Sequence, residues 1–215
     1  MPIPVNHHCS VVVIRSNVNG DNRFLFSKYT PGYPAEVFVG AANPIGGNHE
    51  SVDRSPWGIL EREVTEEVAV KQGEEQNFAP ENLILNLRRE ILQNAKPWGD
   101  FLVKDPPYAR DRPAVDALVS MYESNIPSDL LWEVAKVIPK GKRIVTEGVA
   151  CICTPEDLVT GKIRLANVAP AILTPYFGVA LPNPHMAVAF SLRTPIRDTL
   201  AQYLVDFDYK KKVEP

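Results

Sequence analysis

The chain has little of what marks a secreted, membrane-bound or general nucleic-acid-binding protein. Three cysteines among 215 residues are too few for a disulfide framework. No run reaches the ~18 apolar residues of a membrane span, and no charged start followed by a long apolar run opens the sequence. The net charge of −3 at pH 7 offers no general basic surface for nucleic acid or for a membrane. We therefore expect a cytoplasmic protein without membrane or general nucleic-acid partners.

The composition that is present is that of a globular protein. Apolar residues make up 45% and charged residues 23% of the chain, which permits a sizeable core. The length favours one large domain with an elaborated loop or an extra element. We therefore predict a single domain over residues 1–215.

Strand-like and helix-like segments interleave along the chain without a regular βαβ rhythm. The predicted strands cover 9–15, 23–28, 36–39, 83–87, 114–122, 148–153 and 187–192. Helices are predicted at 129–137, from Pro155 onwards, and at the C-terminus over 195–205. The segment 96–113, which is rich in proline, is predicted to be a long loop. This order predicts a mixed sheet between helices.

A further helix has clear boundaries. It follows Gly46-Gly47, which we expect to end the preceding short strand. Ser55-Pro56 provides an N-cap and a proline in the first turn. An apolar stripe at helical spacing (Trp57, Leu60, Val64 and Val68) predicts a buried face, and a stop is expected at 71–73.

The same helix carries a cluster of glutamates. Glu63, Glu66 and Glu67 stand at i, i+3 and i+4, so their side chains project from one face. Like charges this close repel one another, whereas a cluster of oxygen ligands suits Mg²⁺ or Mn²⁺. The alternative is a solvated acidic face, and these three residues alone do not decide between the two.

The surroundings of the glutamates resemble the Nudix box. Residues 62–70 (REVTEEVAV) match the second half of that family pattern except at Ala69, where glycine is usual. In the first half, five residues separate Gly47 from Asp53, as in the family pattern, and Asp53 stands where the family has glutamate. Eight residues instead of seven then separate Asp53 from Arg62. Glu50 is another candidate for the missing carboxylate, and with a gap of seven the position falls on Arg54 instead.

This resemblance, over residues 47–70, implies a fold and a reaction. The fold would be a Nudix-type α/β/α sandwich with a mixed β-sheet between helices. The activity would be that of a pyrophosphatase, a hydrolase acting on a nucleoside diphosphate linked to another moiety. Glu63, Glu66 and Glu67 would hold Mg²⁺ (or Mn²⁺) next to the backbone of Gly47, and Arg62 would orient a neighbouring glutamate. Glu66 and Glu67 would take part in catalysis, while the general base would be a box glutamate or a later carboxylate, with Glu147 and Glu123 as candidates.

Substrate identity must come from the variable parts of the chain. The segment 96–113 contains aromatic residues that can stack a base and arginines that can grip phosphates. The predicted substrate-binding residues are Trp98, Tyr108, Arg110 and Arg112. The same residues could instead serve to hold a proline-rich loop in place. The sequence leaves open which derivative is cleaved and whether the chain forms a homodimer.

Two other interpretations compete with the hydrolase. The altered first half of the box could belong to a catalytically degenerate domain that binds a nucleotide or a protein without hydrolysis. The acidic helix could also belong to an interaction or structural protein and merely face solvent. Retention of all three helix glutamates favours the hydrolase.

Overall fold

The apolar run near the N-terminus forms the centre of a mixed sheet in the computed structural model, which describes residues 7–34, 36–104, 117–166, 168–183 and 188–191. Strand β1 (His7–Val18) pairs antiparallel with β2 (Asp21–Lys28) and with β4 (Ile45–Asn48). On its other edge it pairs parallel with β6 (Ala117–Asn125). Strand β1 thus has a neighbour on both edges and lies inside the sheet. Its continuous apolar sequence agrees with burial of both its faces.

The remaining strands extend this sheet on either side. Strand β3 (Ala42–Asn43) and β7 (Val149–Cys153) pair with β2, while β5 (Ala95–Lys104) lies between β6 and β8 (Val188–Ser191). The strand order is β3-β2-β1-β6-β5-β8, with β4 beside β1 and β7 beside β2. The strand predicted at 148–153 is confirmed over Val149–Cys153, and the strand predicted at 187–192 is confirmed over its described residues, Val188–Ser191.

Helices cover both faces of the sheet. On one face, Val12 and Ile14 share a core with α1 (Pro56–Glu67), α2 (Glu81–Asn94) and α3 (Ser128–Val137). On the other face, Val11 and Val13 share a core with α4 (Pro155–Val159) and α5 (Ala169–Phe177). Alternate residues of one strand therefore belong to different cores, and the predicted α/β/α arrangement with a mixed sheet is confirmed.

Several local predictions are wrong, each for a physical reason. Residues 83–87 belong to helix α2, because Ile84, Leu87 and Ile91 recur at helical spacing on one buried face. Residues 36–39 form a 3-10 turn (Glu36–Phe38) in which Val39 N donates to Glu36 O at 3.1 Å. Only Phe38 of that turn is buried, so no alternation supports a strand.

The predicted loop 96–113 is also wrong over its first part. Residues 96–104 lie in β5, where Phe101, Leu102 and Val103 are all buried. The register shift between Pro97 and Gly99 accommodates the proline that suggested a loop. Helix α5 was not foreseen from the sequence. Residues 105–116 and the predicted C-terminal helix 195–205 lie outside the described residues, so the single-domain assignment of 1–215 stays a prediction.

No helix in the described ranges is both long enough and apolar enough to cross a membrane.

Candidate functional site

A cavity of about 370 Å³ lies where the end of α1 meets β4 and the segment that precedes β7. Its lining includes most of the residues that the sequence singled out, namely Gly47, Arg62, Glu63, Glu66, Glu67 and Glu147. The structure thus brings the predicted metal ligands, the box arginine and one candidate base together around a single space. Glu123, the other candidate base, lies on β6 in an ion pair with Arg15, outside this lining.

Local capping and packing place the glutamates at this cavity. The Ser55 hydroxyl accepts a hydrogen bond from Gly58 N at 3.0 Å and starts α1. Leu60 and Val64 are fully buried against the sheet, which fixes the rotation of the helix. The helix ends at Glu67, so the glutamates occupy its last turns, where the helix dipole disfavours negative charge. Helix formation by itself therefore does not explain the cluster.

The glycine pair allows α1 to approach the sheet closely. A β-carbon on Gly47 would collide with the Glu63 carboxylate, and one on Gly46 would collide with the backbone of Ser10. Gly46 also has a φ of +143°, which other residues rarely adopt. The two glycines do not end a strand, as the sequence suggested, but pair with Ser10 and Val11 inside β4. The close contact with Glu63 requires glycine at 47, whereas the Ser10 backbone and the positive φ require it at 46.

Arg62 is the centre of the charge network at this site. Its Nε and Nη2 donate to the two carboxylate oxygens of Asp53 at 3.2 and 3.1 Å. Nη2 also lies 2.9 Å from Glu63 Oε1 and donates to Asn48 O at 2.6 Å, while Nη1 donates to Glu66 Oε2 at 3.2 Å. One guanidinium therefore contacts several carboxylates at once, and its planar shape allows the bidentate contact with Asp53.

Of the two candidate carboxylates, Asp53 is the one that Arg62 binds bidentately. Its side chain is 3% exposed and also accepts a hydrogen bond from Glu50 N at 2.7 Å. Glu50 is 63% exposed, and its carboxylate is 3.7 Å from Arg62 Nη1. Burial alone would raise the pKa of Asp53, but the hydrogen bonds from Arg62 and Glu50 N bring that pKa below its ordinary value.

The other carboxylates repel one another. Burial, with the charges of Glu63 and Glu147, holds the pKa of the half-buried Glu67 well above its ordinary value, although Gly46 N donates to its carboxylate. Burial also raises the pKa of Glu63, more than Arg62 lowers it, and Glu66 and Glu147 add to the increase. The cavity also holds more negative than positive formal charge, because Glu63, Glu66, Glu67 and Glu147 line it together with Arg62, which carries one positive charge.

Glu147 is held in place through its backbone. Next to it, Thr146 N donates to Glu67 O at 2.8 Å, and Thr146 Oγ1 donates to Glu66 O at 3.1 Å. The buried hydroxyl of Ser27 donates to Glu147 O at 2.6 Å. Arg143 donates to the Thr146 carbonyl and pairs with Glu74 at 3.1 Å. The unpaired carbonyls at the end of α1 are thus used to attach the segment that carries Glu147.

A divalent cation fits the chemistry of these residues, although the ligands are not already assembled. Within the described residues, no three His, Cys, Asp or Glu side chains are grouped as metal ligands would be. Glu63 and Glu66 are paired with Arg62 instead. The donors are all carboxylate oxygens, which Mg²⁺ and Mn²⁺ prefer. Burial is the main cause of the raised pKa values of Glu63 and Glu67, and a cation would relieve the repulsion between carboxylates that adds to it.

The predicted substrate-binding residues lie elsewhere or outside the described residues. The Trp98 ring stacks on Phe101 at a centroid distance of 5.8 Å and meets Tyr176 edge-on at 5.2 Å. It thus packs beside α5 and is not part of the cavity lining. Tyr108, Arg110 and Arg112 belong to the undescribed segment 105–116. A role in substrate binding stays a prediction for all four.

The sequence-based prediction missed an aromatic pair among the lining residues. Tyr29 and Tyr33 border the cavity, and their rings stack at a centroid distance of 3.9 Å. The available signal was a pair of tyrosines flanking the turn that follows β2. Only the fold brings that turn to the acidic helix.

Among known proteins, the chain is similar to several solved structures. No protein-family model matches the sequence, and no curated protein matches it either. The chain is similar to a mutT/nudix family protein from Listeria innocua, with 15% identity, a TM-score of 0.48 and coverage of 81% of this chain and 94% of that one. A NUDIX hydrolase from Alicyclobacillus acidocaldarius has 14% identity, a TM-score of 0.47 and coverage of 83% and 94%.

A third similar structure is the NUDIX domain of Shewanella oneidensis NrtR in complex with ADP ribose. Its identity is 12% and its TM-score 0.43, with coverage of 76% of this chain and 81% of that one. At these identities and scores the likeness carries no argument about the reaction. The chemistry proposed below rests on the residues of this chain.

We expect replacement of Asp53 by asparagine to destabilise the protein. Loss of the charge leaves Arg62 with a weaker buried acceptor, which should cost about 1–3 kcal/mol in the free energy of unfolding. The matched control is Glu50→Gln, which should stay within about 0.5 kcal/mol because Glu50 is exposed. Chemical denaturation of both variants measures the difference. Equal effects would mean that Asp53 is not the main partner of Arg62.

We also expect Glu67→Gln to stabilise the protein at neutral pH when a chelator removes metal ions. A carboxyl whose pKa is raised by folding contributes full stability below its ordinary pKa of about 4.3 and loses that contribution as pH rises through the raised value. Since glutamine stays neutral, the free energy of unfolding of Glu67→Gln relative to the wild type should increase as the pH rises above about 4.3.

Denaturation curves across the acid-to-neutral range measure this advantage. Glu61→Gln, on an exposed residue of the same helix, is the matched control and should not show the pH-dependent gain. A constant offset between Glu67→Gln and the wild type at every pH would contradict the expectation.

Proposed function

We propose that the chain is a Nudix-type hydrolase that cleaves the pyrophosphate bond of a nucleoside diphosphate linked to another moiety, with the help of Mg²⁺ or Mn²⁺. The observation that carries the proposal is the convergence of Glu63, Glu66, Glu67 and Glu147 on one cavity beside Gly46-Gly47. A surplus of negative charge there suits a substrate that arrives with a divalent cation. The box-like sequence over residues 47–70 points to the same chemistry.

The three helix glutamates are the residues that would hold the cation. When bound, such an ion supplies positive charge to the diphosphate oxygens and makes water more acidic. Glu66 is 60% exposed, so its ion pair with Arg62 is of the weak, solvent-accessible kind that exchanges easily. Glu63 keeps its position because Arg62 holds it on one side and the Gly47 backbone borders it on the other.

In the proposed reaction, water attacks one phosphorus of the diphosphate. The bond from that phosphorus to the bridging oxygen breaks, which yields a nucleoside monophosphate and the phosphorylated second moiety. The proton of the attacking water passes to a carboxylate, and Glu147 is the candidate. The contacts of Thr146 and Ser27 support this role, because they hold the Glu147 backbone in a fixed position against the end of α1.

A second candidate function is a domain that binds a nucleotide without hydrolysis. The ion pairs of Arg62 with Glu63 and Glu66 favour it, since they satisfy two of the expected ligands without a metal. Both functions predict nucleotide binding, and only turnover separates them.

The first test is hydrolysis of a panel of nucleoside diphosphate derivatives with Mg²⁺ or with a chelator. We expect the wild type to release a monophosphate only with metal. The double variant Glu66→Gln, Glu67→Gln should be slower by about a hundredfold or more, because several kcal/mol of transition-state stabilisation depend on the ion. Glu61→Gln, on the exposed face of α1, is the control and should retain activity.

The outcomes separate the two functions. If Mg²⁺ raises the melting temperature of the wild type but not of the double variant, and no substrate is turned over, the binding domain is correct. If Mg²⁺ neither stabilises the protein nor supports turnover, the metal site itself is wrong.

A second test concerns the proton acceptor. Glu147→Gln should lower kcat by about 10²- to 10⁴-fold, the usual contribution of a general base, with little change in KM. Glu123→Gln changes the other candidate carboxylate, which lies outside the cavity, and should leave kcat nearly unchanged. Melting temperatures verify that both variants are folded. A larger loss of kcat for Glu123→Gln than for Glu147→Gln would contradict the assignment.

A further inference from the structure

One wall of the cavity is aromatic, whereas the end formed by helix α1 is acidic. Tyr29 and Tyr33 line it, and their rings stack at 3.9 Å with an interplanar angle of 23°. Both side chains are half-buried. They belong to the chain that leaves β2, which is separate in sequence from the acidic helix.

The backbone holds this wall in place. Tyr29 N donates to Ala41 O at 3.0 Å, and Gly40 N donates back to Tyr29 O at 2.8 Å. Tyr33 N donates to Thr30 O at 3.2 Å and closes the turn between the tyrosines. Both rings pack against a small apolar cluster made of Phe38, Ala41 and Ala166. A wall held in this way loses little entropy when a ligand contacts it.

The wall borders the carboxylates directly. Burial raises the pKa of Tyr29, and the neighbouring Tyr33, Glu67 and Glu147 raise it further, so the phenol stays neutral beside these acids. The rest of the lining adds an apolar side from β1 and α5, formed by Val11, Val168 and Ile172. The cavity volume of about 370 Å³ is within the ordinary range of small-molecule sites.

A purely structural role for the two tyrosines accounts for less of this arrangement. Rings that only filled the corner near Phe38 would have no reason to border the charged cavity. A flat, rigid, half-buried aromatic surface next to a phosphate-binding region is what an aromatic group of the substrate can use, because stacking on tyrosine does not depend on a particular hydrogen-bond pattern.

We propose that Tyr33 and Tyr29 form the subsite for a planar aromatic group of the ligand, a nucleobase, adjacent to the region that takes its phosphate. This inference rests on the proposed function for the position of the phosphate. The subsite would make the protein prefer ligands that carry an aromatic ring, since a diphosphate ester without such a ring would gain no affinity from this wall.

Equilibrium binding tests the subsite without turnover. Calorimetric titration of the full chain with AMP and with ribose 5-phosphate, both in Mg²⁺, compares a ligand that has the base with one that lacks it. We expect the wild type to bind AMP about tenfold or more tightly than ribose 5-phosphate. Tyr33→Phe retains the ring and should retain this preference, whereas Tyr33→Leu retains apolar bulk and should lose most of it.

Two results would contradict the subsite. One is that the wild type binds AMP no better than ribose 5-phosphate. The other is that Tyr33→Leu keeps the preference for AMP while its melting temperature matches that of Tyr33→Phe. Failure of the hydrolase proposal is a separate result, because it appears as absent turnover in a protein that still prefers AMP.

Discussion

Helix α1 packs so closely on strand β4 that Gly47 has no room for a β-carbon. The Glu63 carboxylate fills the space that a side chain on Gly47 would need, and the Ser10 backbone fills the corresponding space at Gly46. This contact brings the acidic end of the helix to the edge of the sheet, where β1 changes its neighbour from β4 to β2. The position of the α1 carboxylates beside the glycine backbone depends on that close approach.

Such an arrangement concentrates negative charge where neither the helix dipole nor burial favours it. Arg62 offsets part of the repulsion by binding Asp53, Glu63 and Glu66 together. The pKa values of Glu63 and Glu67 nevertheless stay raised, with burial as the main cause and the neighbouring carboxylates as the second. A protein that keeps these groups together sacrifices stability, which is the usual mark of a site retained for function.

The segment that carries Glu147 connects the two sides of the cavity. Thr146 donates hydrogen bonds to backbone carbonyls at the end of α1, and Ser27 on β2 donates one to the Glu147 carbonyl. Strand β2 then leads to Tyr29 and Tyr33, so the carboxylates and the aromatic wall share one framework. A change in the turn after β2 would therefore affect the ligand that fits, while a change in α1 would affect the charge at the site.

Local sequence determined much of this protein. Ser55-Pro56 and the apolar spacing of α1 located the acidic helix, and the β-branched run of β1 identified the central strand, because capping and periodicity act over a few residues. The same local rules failed at 83–87, where a helical period was read as a strand, and at 96–104, where a proline concealed β5. At 83–87 the cause is that strand and helix patterns are ambiguous in short apolar runs. At 96–104 the cause is that a register shift in the sheet accommodates the proline.

Only the tertiary structure decided that Asp53, and not Glu50, is the main partner of Arg62, that Glu147 and not Glu123 reaches the cavity, and that two tyrosines form its wall. Spacing along the chain could not predict these choices. They depend on which strands pair and on how closely a glycine allows a helix to approach.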